Sequence, residues 1–137
     1  MNINYQNTLI PSLNDLQKLY DNVGWTAYTR NMPQLYRAIQ KSLTVITAWH
    51  DKQLVGLLRA VGDGETILYI QDILVQQTYQ RQGIGTQLVQ RILVQYQHVR
   101  QIVLLTDDGN QQRQFYQSLG FRACDDGRLI AFAKINQ

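Results

Sequence analysis

Between Thr44 and Val75 the hydrophobic pattern has a period of two, and it recurs in three consecutive runs with no helical stretch between them. Val45, Thr47 and Trp49 alternate with Ile46 and Ala48, Asp51-Lys52 marks a turn, and Leu54 to Val61 makes a second run. Gly62-Asp63-Gly64 turns the chain again, and Thr66 to Val75 forms a third strand that is long by ordinary standards. Strands joined by turns this short pair antiparallel. The regular strand-helix alternation of a doubly wound fold is therefore excluded, and an α+β domain with a mostly antiparallel, mixed sheet is expected.

Helical patterns flank this block. A short strand near the N-terminus precedes Ser12, which has the Ser-x-x-acid spacing of a helix cap with Asp15 and is followed by Leu16, Leu19, Tyr20 and Val23 on one face. Gly24 ends that helix. Trp25 to Arg30 reads as a loop, and Pro33 opens a second helix through Leu35, Tyr36, Ile39 and Leu43. Downstream, Gly83 to Tyr96 carries Ile84, Leu88, Val89, Ile92 and Leu93 at helical spacing, and Ile102 to Thr106 is a short strand. A weaker helix spans Asn110 to Leu119, and Phe121–Cys124 and Leu129–Ile135 read as strands around Asp125-Asp126-Gly127.

A chain of 137 residues, 45% of them hydrophobic, has the interior for one core, so residues 1–137 are expected to form a single domain with about four helices. The formal charge of +3 is spread among 13 basic and 10 acidic residues with no basic run, which argues against a nucleic-acid partner. Cys124 is the single cysteine, so neither an intramolecular disulfide nor a Cys-x-x-Cys metal site is available, and it is expected to pack as a small apolar strand residue. No metal is expected. The N-terminus lacks the basic start and apolar stretch of a signal peptide, and no window reaches membrane-spanning length. A soluble, cytoplasmic protein without a membrane partner is the expectation.

Gly83-Ile84-Gly85 stands between the strand ending near Val75 and an amphipathic helix, where main-chain N–H groups and the helix dipole hold anions. Gln80, Arg81 and Gln82 place further donors beside it. A Gly pair at a helix start also serves as a plain strand-to-helix turn. A dinucleotide fingerprint would need a third Gly where Leu88 stands, and the Gly-Lys-Ser/Thr of a Walker loop does not occur.

Together these residues resemble the GCN5-related N-acetyltransferase (GNAT) superfamily. Its acyl-CoA loop has the form Gln/Arg-x-x-Gly-x-Gly/Ala, which Gln80-Arg81-Gln82-Gly83-Ile84-Gly85 matches. Asp72-Ile73-Leu74-Val75 is similar to the family's central strand, and Tyr116-Gln117-Ser118-Leu119-Gly120-Phe121 to its Tyr-x-x-x-Gly-Phe hallmark. Two positions depart from the family. Gln77 stands where many members have Pro, and Gly109 stands where many have an Asn, leaving Asn110 beside it as the candidate for that residue's CoA contact.

The resemblance implies a sheet splayed open between the strand ending at Val75 and the strand Ile102 to Thr106, with acetyl-CoA entering the gap. Main-chain groups of Ile73 and Val75 would bond the pantetheine arm, and Arg81, Gln82, Gly83, Ile84, Gly85 and Thr86 would surround the pyrophosphate. Tyr116 would protonate the departing thiolate. A main-chain N–H near Leu74, freed by a bulge, would face the developing oxyanion. Asp72 and Glu65 are candidates to draw a proton through water, although a bulge would change which face Asp72 occupies. Trp25, Tyr28 and Arg30 would border the acceptor, a primary amine of a small molecule or a peptide N-terminus. A CoA-binding sensor without turnover is the alternative, and a homodimer is compatible with either.

Overall fold

The three period-two runs form the middle of a five-stranded sheet, ordered β1-β2-β3-β4-β5, in a computed structural model that describes residues 2–136. Strands β1 (Asn4–Gln6), β2 (Thr44–His50), β3 (Gln53–Gly62) and β4 (Ile67–Val75) pair antiparallel, and β5 (Gln101–Leu104) adds parallel to β4. With five α-helices this is the mixed α+β architecture expected from the order of elements. The turn into β4 is built around Asp63, whose carboxylate accepts from the N–H groups of Glu65, Thr66 and Ile67 at 2.9, 2.8 and 3.0 Å. Bonds to Ile67, Thr66 and Glu65 hold its carboxyl well below the usual carboxylate range.

The chain divides into two compact units, one ending at Leu105 and the other beginning at Thr106. In the first, Ser12 caps α1 (Leu13–Asn22) by accepting from Asp15 N–H at 3.1 Å. Gly24, at φ +79°, ends it: Gly24 N–H returns to the Asp21 carbonyl and Trp25 N–H to the Tyr20 carbonyl, both at 3.0 Å. The stretch expected as a loop contains one helical turn, α2 (Thr26–Thr29), closed by Arg30 N–H on the Thr26 carbonyl. Helix α3 (Met32–Gln40) starts at Asn31, whose side chain accepts from Gln34 N–H, with Pro33 in the first turn.

Leu16, Leu19 and Tyr20 of α1 and Leu35 and Ile39 of α3 cover Val45, Leu54, Leu57 and Leu74 on one face of the sheet. Helix α4 (Ile84–Gln95) covers the other face. Gly56 of β3 lies directly beneath its first turns. A Cβ there would stand 3.1 Å from Ile84 Cγ2 and 3.4 Å from Leu88 Cδ1.

In the second unit α5 (Asn110–Ser118) is fastened through Arg113, which bonds Asp108 at 2.8 Å and Asp125 at 3.3 Å. The strands expected at Phe121–Cys124 and Leu129–Ile135 are not formed. A 3-10 turn, Cys124–Asp126, overlaps the turn expected at Asp125-Asp126-Gly127, with Asp125 bonded to Arg113, but no ladder joins the segments on its two sides. A strand exists only through a ladder, and Leu129, Ile130, Phe132 and Ile135 remain 69–90% exposed. Cys124 is correspondingly exposed and is not a packed strand residue. Among the described residues no helix is long and apolar enough to cross a membrane.

Candidate active site

The register between β3 and β4 slips by one residue: Arg59 is opposite Asp72, but Ala60 is opposite Ile70. Gln71 is therefore an extra residue on β4, a bulge of the kind that changes both side-chain parity and main-chain direction. After the bulge, Gln76 N–H donates to the Val55 carbonyl at 2.8 Å. Antiparallel alternation then turns the main chains of Leu74 and Asp72 toward β3 and those of Ile73 and Val75 away from it.

On that far side, β5 pairs only with Ile67 to Ile70, so β4 is open from Gln71 to Val75. The side-chain amide of Gln80 reaches around to the Val75 carbonyl at 2.9 Å, which agrees with the direction derived for that group. Here the expectation for Leu74 is corrected. Its N–H is turned into the ladder opposite Leu57, and the donors on the open side belong to Ile73 and Val75.

Strand β4 leads through a 3-10 turn, Gln77–Tyr79, into the glycine loop. Arg81 and Gly83 take left-handed conformations, φ +63° and +86°, the first an uncommon strain for a residue with a Cβ. Gly83 is the N-cap of α4 and lends no side chain to it, so the N–H groups of Ile84, Gly85 and Thr86 lack intrahelical acceptors. A Cβ at Gly83 would have no protein atom within 4 Å. The space over a left-handed glycine beside uncapped donors fits a pyrophosphate, and the open edge of β4 fits an amide-bearing arm. Gln80, Arg81 and Gln82 are exposed around it.

Sequence reasoning missed the braces of this loop. Gln77 N–H donates to the Asn22 side chain at the end of α1, at 2.8 Å, and the Tyr79 hydroxyl meets His50 Nδ1 at 2.7 Å. Both partners are distant in sequence and carry no local signal.

On the α1 side of the sheet, Asp72 is 1% exposed and accepts three bonds. They come from Arg59 Nε at 2.8 Å, the Tyr20 hydroxyl at 2.8 Å and the Tyr28 hydroxyl at 2.9 Å. Burial and the neighbouring Asp72 charge push both phenols above the usual tyrosine range, so they stay protonated donors. Burial works against the charge on Arg59, but Asp72 together with Tyr20 and Tyr28 outweighs it and raises its pKa. The carboxylate considered for proton removal is thus committed to a closed network. Arg59 and Tyr20, the other members, were not singled out from the sequence. Glu65, the other carboxylate considered, is exposed in the turn before β4.

Gln71 donates to the Tyr28 hydroxyl at 3.0 Å, and Trp25 and Tyr28 pack half-buried on the α1 core. Arg30 is exposed at the end of α2. In the second unit Tyr116 is half-buried between Phe115 and Phe121, and burial raises its phenol pKa. Asn110 is exposed at the first position of α5. The Tyr-x-x-x-Gly-Phe spacing has a plain structural cause: Gly120, at φ +94°, returns Phe121 N–H to the Tyr116 carbonyl at 3.0 Å and closes the helix.

Residues 17–131 match the family model described as an acetyltransferase (GNAT) domain. An uncharacterized N-acetyltransferase, ycf52, of Gracilaria tenuistipitata var. liui is 33% identical over 122 residues, covering 85% of this chain and 65% of that protein. The chloroplastic GCN5-related N-acetyltransferase 2 of Arabidopsis thaliana is 32% identical over 135 residues, covering 82% of this chain and 51% of that one. The chain thus spans between about half and two thirds of the length of these curated relatives. A solved GNAT family acetyltransferase of Streptococcus pneumoniae TIGR4 is 34% identical, with a TM-score of 0.88 over 99% of both chains.

Proposed function

The chain belongs to the GNAT acetyltransferase family, and from that premise we propose that it moves an acetyl group from acetyl-CoA to a primary amine, of a small molecule or a peptide N-terminus, by direct attack on the thioester. The observation that carries this reading is the continuity of the open β4 edge with the left-handed Gly83 and the uncapped start of α4. Acetyl-CoA supplies an activated acyl carbon. The chain supplies placement and charge stabilisation.

Main-chain groups of Ile73 and Val75 hold the pantetheine arm along the strand. Ile84, Gly85 and Thr86 N–H groups, with Arg81 and Gln82, take the pyrophosphate. The Ile73 N–H faces the oxygen on which negative charge develops, the role first assigned to Leu74. Trp25, Tyr28 and Arg30, with the exposed Gln71 amide, border the amine. The C–N bond forms as the C–S bond breaks; Tyr116 gives its proton to the departing sulfur and the nitrogen loses its own to water. Asn110 adds a polar contact to CoA.

Thermal shift with CoA, NAD and ATP tests the loop, and thiol release from acetyl-CoA across an amine panel tests turnover. A concentration-dependent rise with CoA, larger than with NAD or ATP, and release dependent on an amine are expected. No rise with CoA refutes the assignment of the loop. A rise without release from any amine favours the sensor.

A further inference from the structure

We propose that Arg59 is a positioning residue, whose ion pair with Asp72 sets the register of the β4 bulge and thereby decides which main-chain N–H groups face the open edge. The inference rests on the acyl-transfer reading for its consequence, and on geometry alone for its cause. Arg59 and Asp72 are the last pair before the register slips, and Gln71 is the residue left over.

Slipping β4 by one residue would erase the bulge and turn each later side chain to the opposite face. Leu74 tolerates either face, since both are apolar. Asp72 does not. On its present face three donors hold it, whereas on the α4 face the slipped register sets it opposite Leu58 and beside Ile70, both buried and apolar. An ionised carboxylate set there without partners is strongly disfavoured.

Arg59 is equally confined. It is 6% exposed, its Nε bonds Asp72, and its guanidinium lies 6.0 Å from the centre of the Tyr28 ring. The pair therefore couples the register of two central strands to the position of Tyr28 on α2. In the slipped register Leu74 N–H would face the open edge, and Ile73 and Val75 would be sealed in the ladder. Buried ion pairs contribute little net stability compared with apolar replacements of the same shape, but a single polar position does specify register in some folds. That is the role assigned here.

The test is the double variant Arg59→Met/Asp72→Asn, which removes both charges while Asn still bonds the two tyrosines. Backbone amide resonances of Ile73, Leu74 and Val75 are compared with wild type, and single-turnover rates are followed across pH. The lock predicts displaced resonances at all three amides, a single-turnover rate lower by about 100-fold, and an unchanged shape of the pH profile. Amides at wild-type positions, or a rate within about threefold of wild type, overturn it. A pH limb lost with Asp72→Asn but kept with Arg59→Met also overturns it, since Asp72 would then be the base. Should the double variant not fold, Arg59→Gln is read by the same amides with the same two outcomes. Arg59→Lys, which keeps a charge for Asp72, is expected to recover most of the rate. The amide comparison needs no turnover, so a wild-type protein inactive on every amine would defeat the proposed function without deciding the lock.

Discussion

Gly83→Asn separates the backbone conformation of the glycine loop from the space above it. Gly83 sits at φ +86°, ψ 3°, and its missing Cβ would touch no protein atom within 4 Å. The cost to the free protein is therefore conformational, with no steric term. For most L-residues a left-handed backbone costs about 1–2 kcal/mol, and for Asn less because its short side chain bonds locally. In a domain of this size about 1 kcal/mol corresponds to roughly 3–5 °C in Tm, so Asn should lower Tm by less than that and Val by about twice it. Binding is a different matter. A side chain in the cradle denies the pyrophosphate one or two main-chain N–H bonds, each worth about 1.5–3 kcal/mol when the acceptor is charged. CoA affinity should then fall by about 10- to 10,000-fold for both variants, although their Tm values differ. Calorimetric titration with CoA beside thermal melts of the free proteins measures the two effects. Gly24→Asn is the control, because Gly24 has a similar φ of +79° and equally empty surroundings at the end of α1. It should shift Tm comparably and leave CoA binding unchanged. If Gly83→Asn binds CoA as wild type does, or if affinity loss simply follows Tm across all three variants, the space over Gly83 is not the ligand's.

Tyr116→Phe keeps the rings packed against Phe115 and Phe121 and deletes the hydroxyl, so single-turnover rates should fall by about ten- to ten-thousand-fold with CoA affinity retained. Because burial raises its pKa, loss of its proton should not limit activity below about pH 10. An unchanged rate on a good acceptor removes it from the chemistry. Asp63 has a depressed folded pKa, so its contribution to stability is full above the unfolded value near 4 and is lost as pH falls through the folded one. Melting curves of wild type and Asp63→Asn should accordingly converge as pH drops below about 4, and parallel curves would show that the turn does not depend on the charge. Arg81→Gly relieves a left-handed residue at φ +63° but enlarges the unfolded ensemble, so stability should barely move while CoA affinity falls; a clear rise in Tm with unchanged affinity would make the loop purely structural.

What could be read from the residues was local. The period-two runs, the Ser12 cap and the left-handed glycines at Gly24, Gly83 and Gly120 each rest on neighbours a few positions away, and each is where the pattern put it. A bulge on β4 is legible as an expectation, but the residue left over, Gln71, is not, because it depends on the pairing of β4 with β3 and on contacts such as Arg59 to Asp72 across a hairpin. The braces from Asn22 and His50 depend on contacts 55 and 29 residues away. The C-terminal strands failed for a related reason. Alternation at Leu129–Ile135 states a preference, but a ladder needs a partner, and this segment pairs with no strand and leaves its apolar side chains exposed. Spacing also proves an ambiguous guide to chemistry. Tyr20-x-x-x-Gly24-Trp25 closes α1 with the same carbonyl-to-amide bond that Tyr116-x-x-x-Gly120-Phe121 makes at α5. One of these tyrosines spends its hydroxyl on Asp72, so the cap recommends a helix end and only the surroundings of the hydroxyl recommend a proton donor.

Gly56 lets α4 ride low on the sheet. Its hydrogen is all that separates β3 from Ile84, the residue next to the left-handed Gly83, so the strand acts as a seat that sets the height of the helix start. Raising that seat by a methyl group would lift the loop's donors with the helix, while the open edge of β4 stayed where its ladder holds it. The two halves of a long, thin ligand's berth would then no longer be level. Residue size on the interior of a neighbouring strand, at a position that touches no ligand, becomes a means of adjusting how a bound molecule spans the distance from strand to helix.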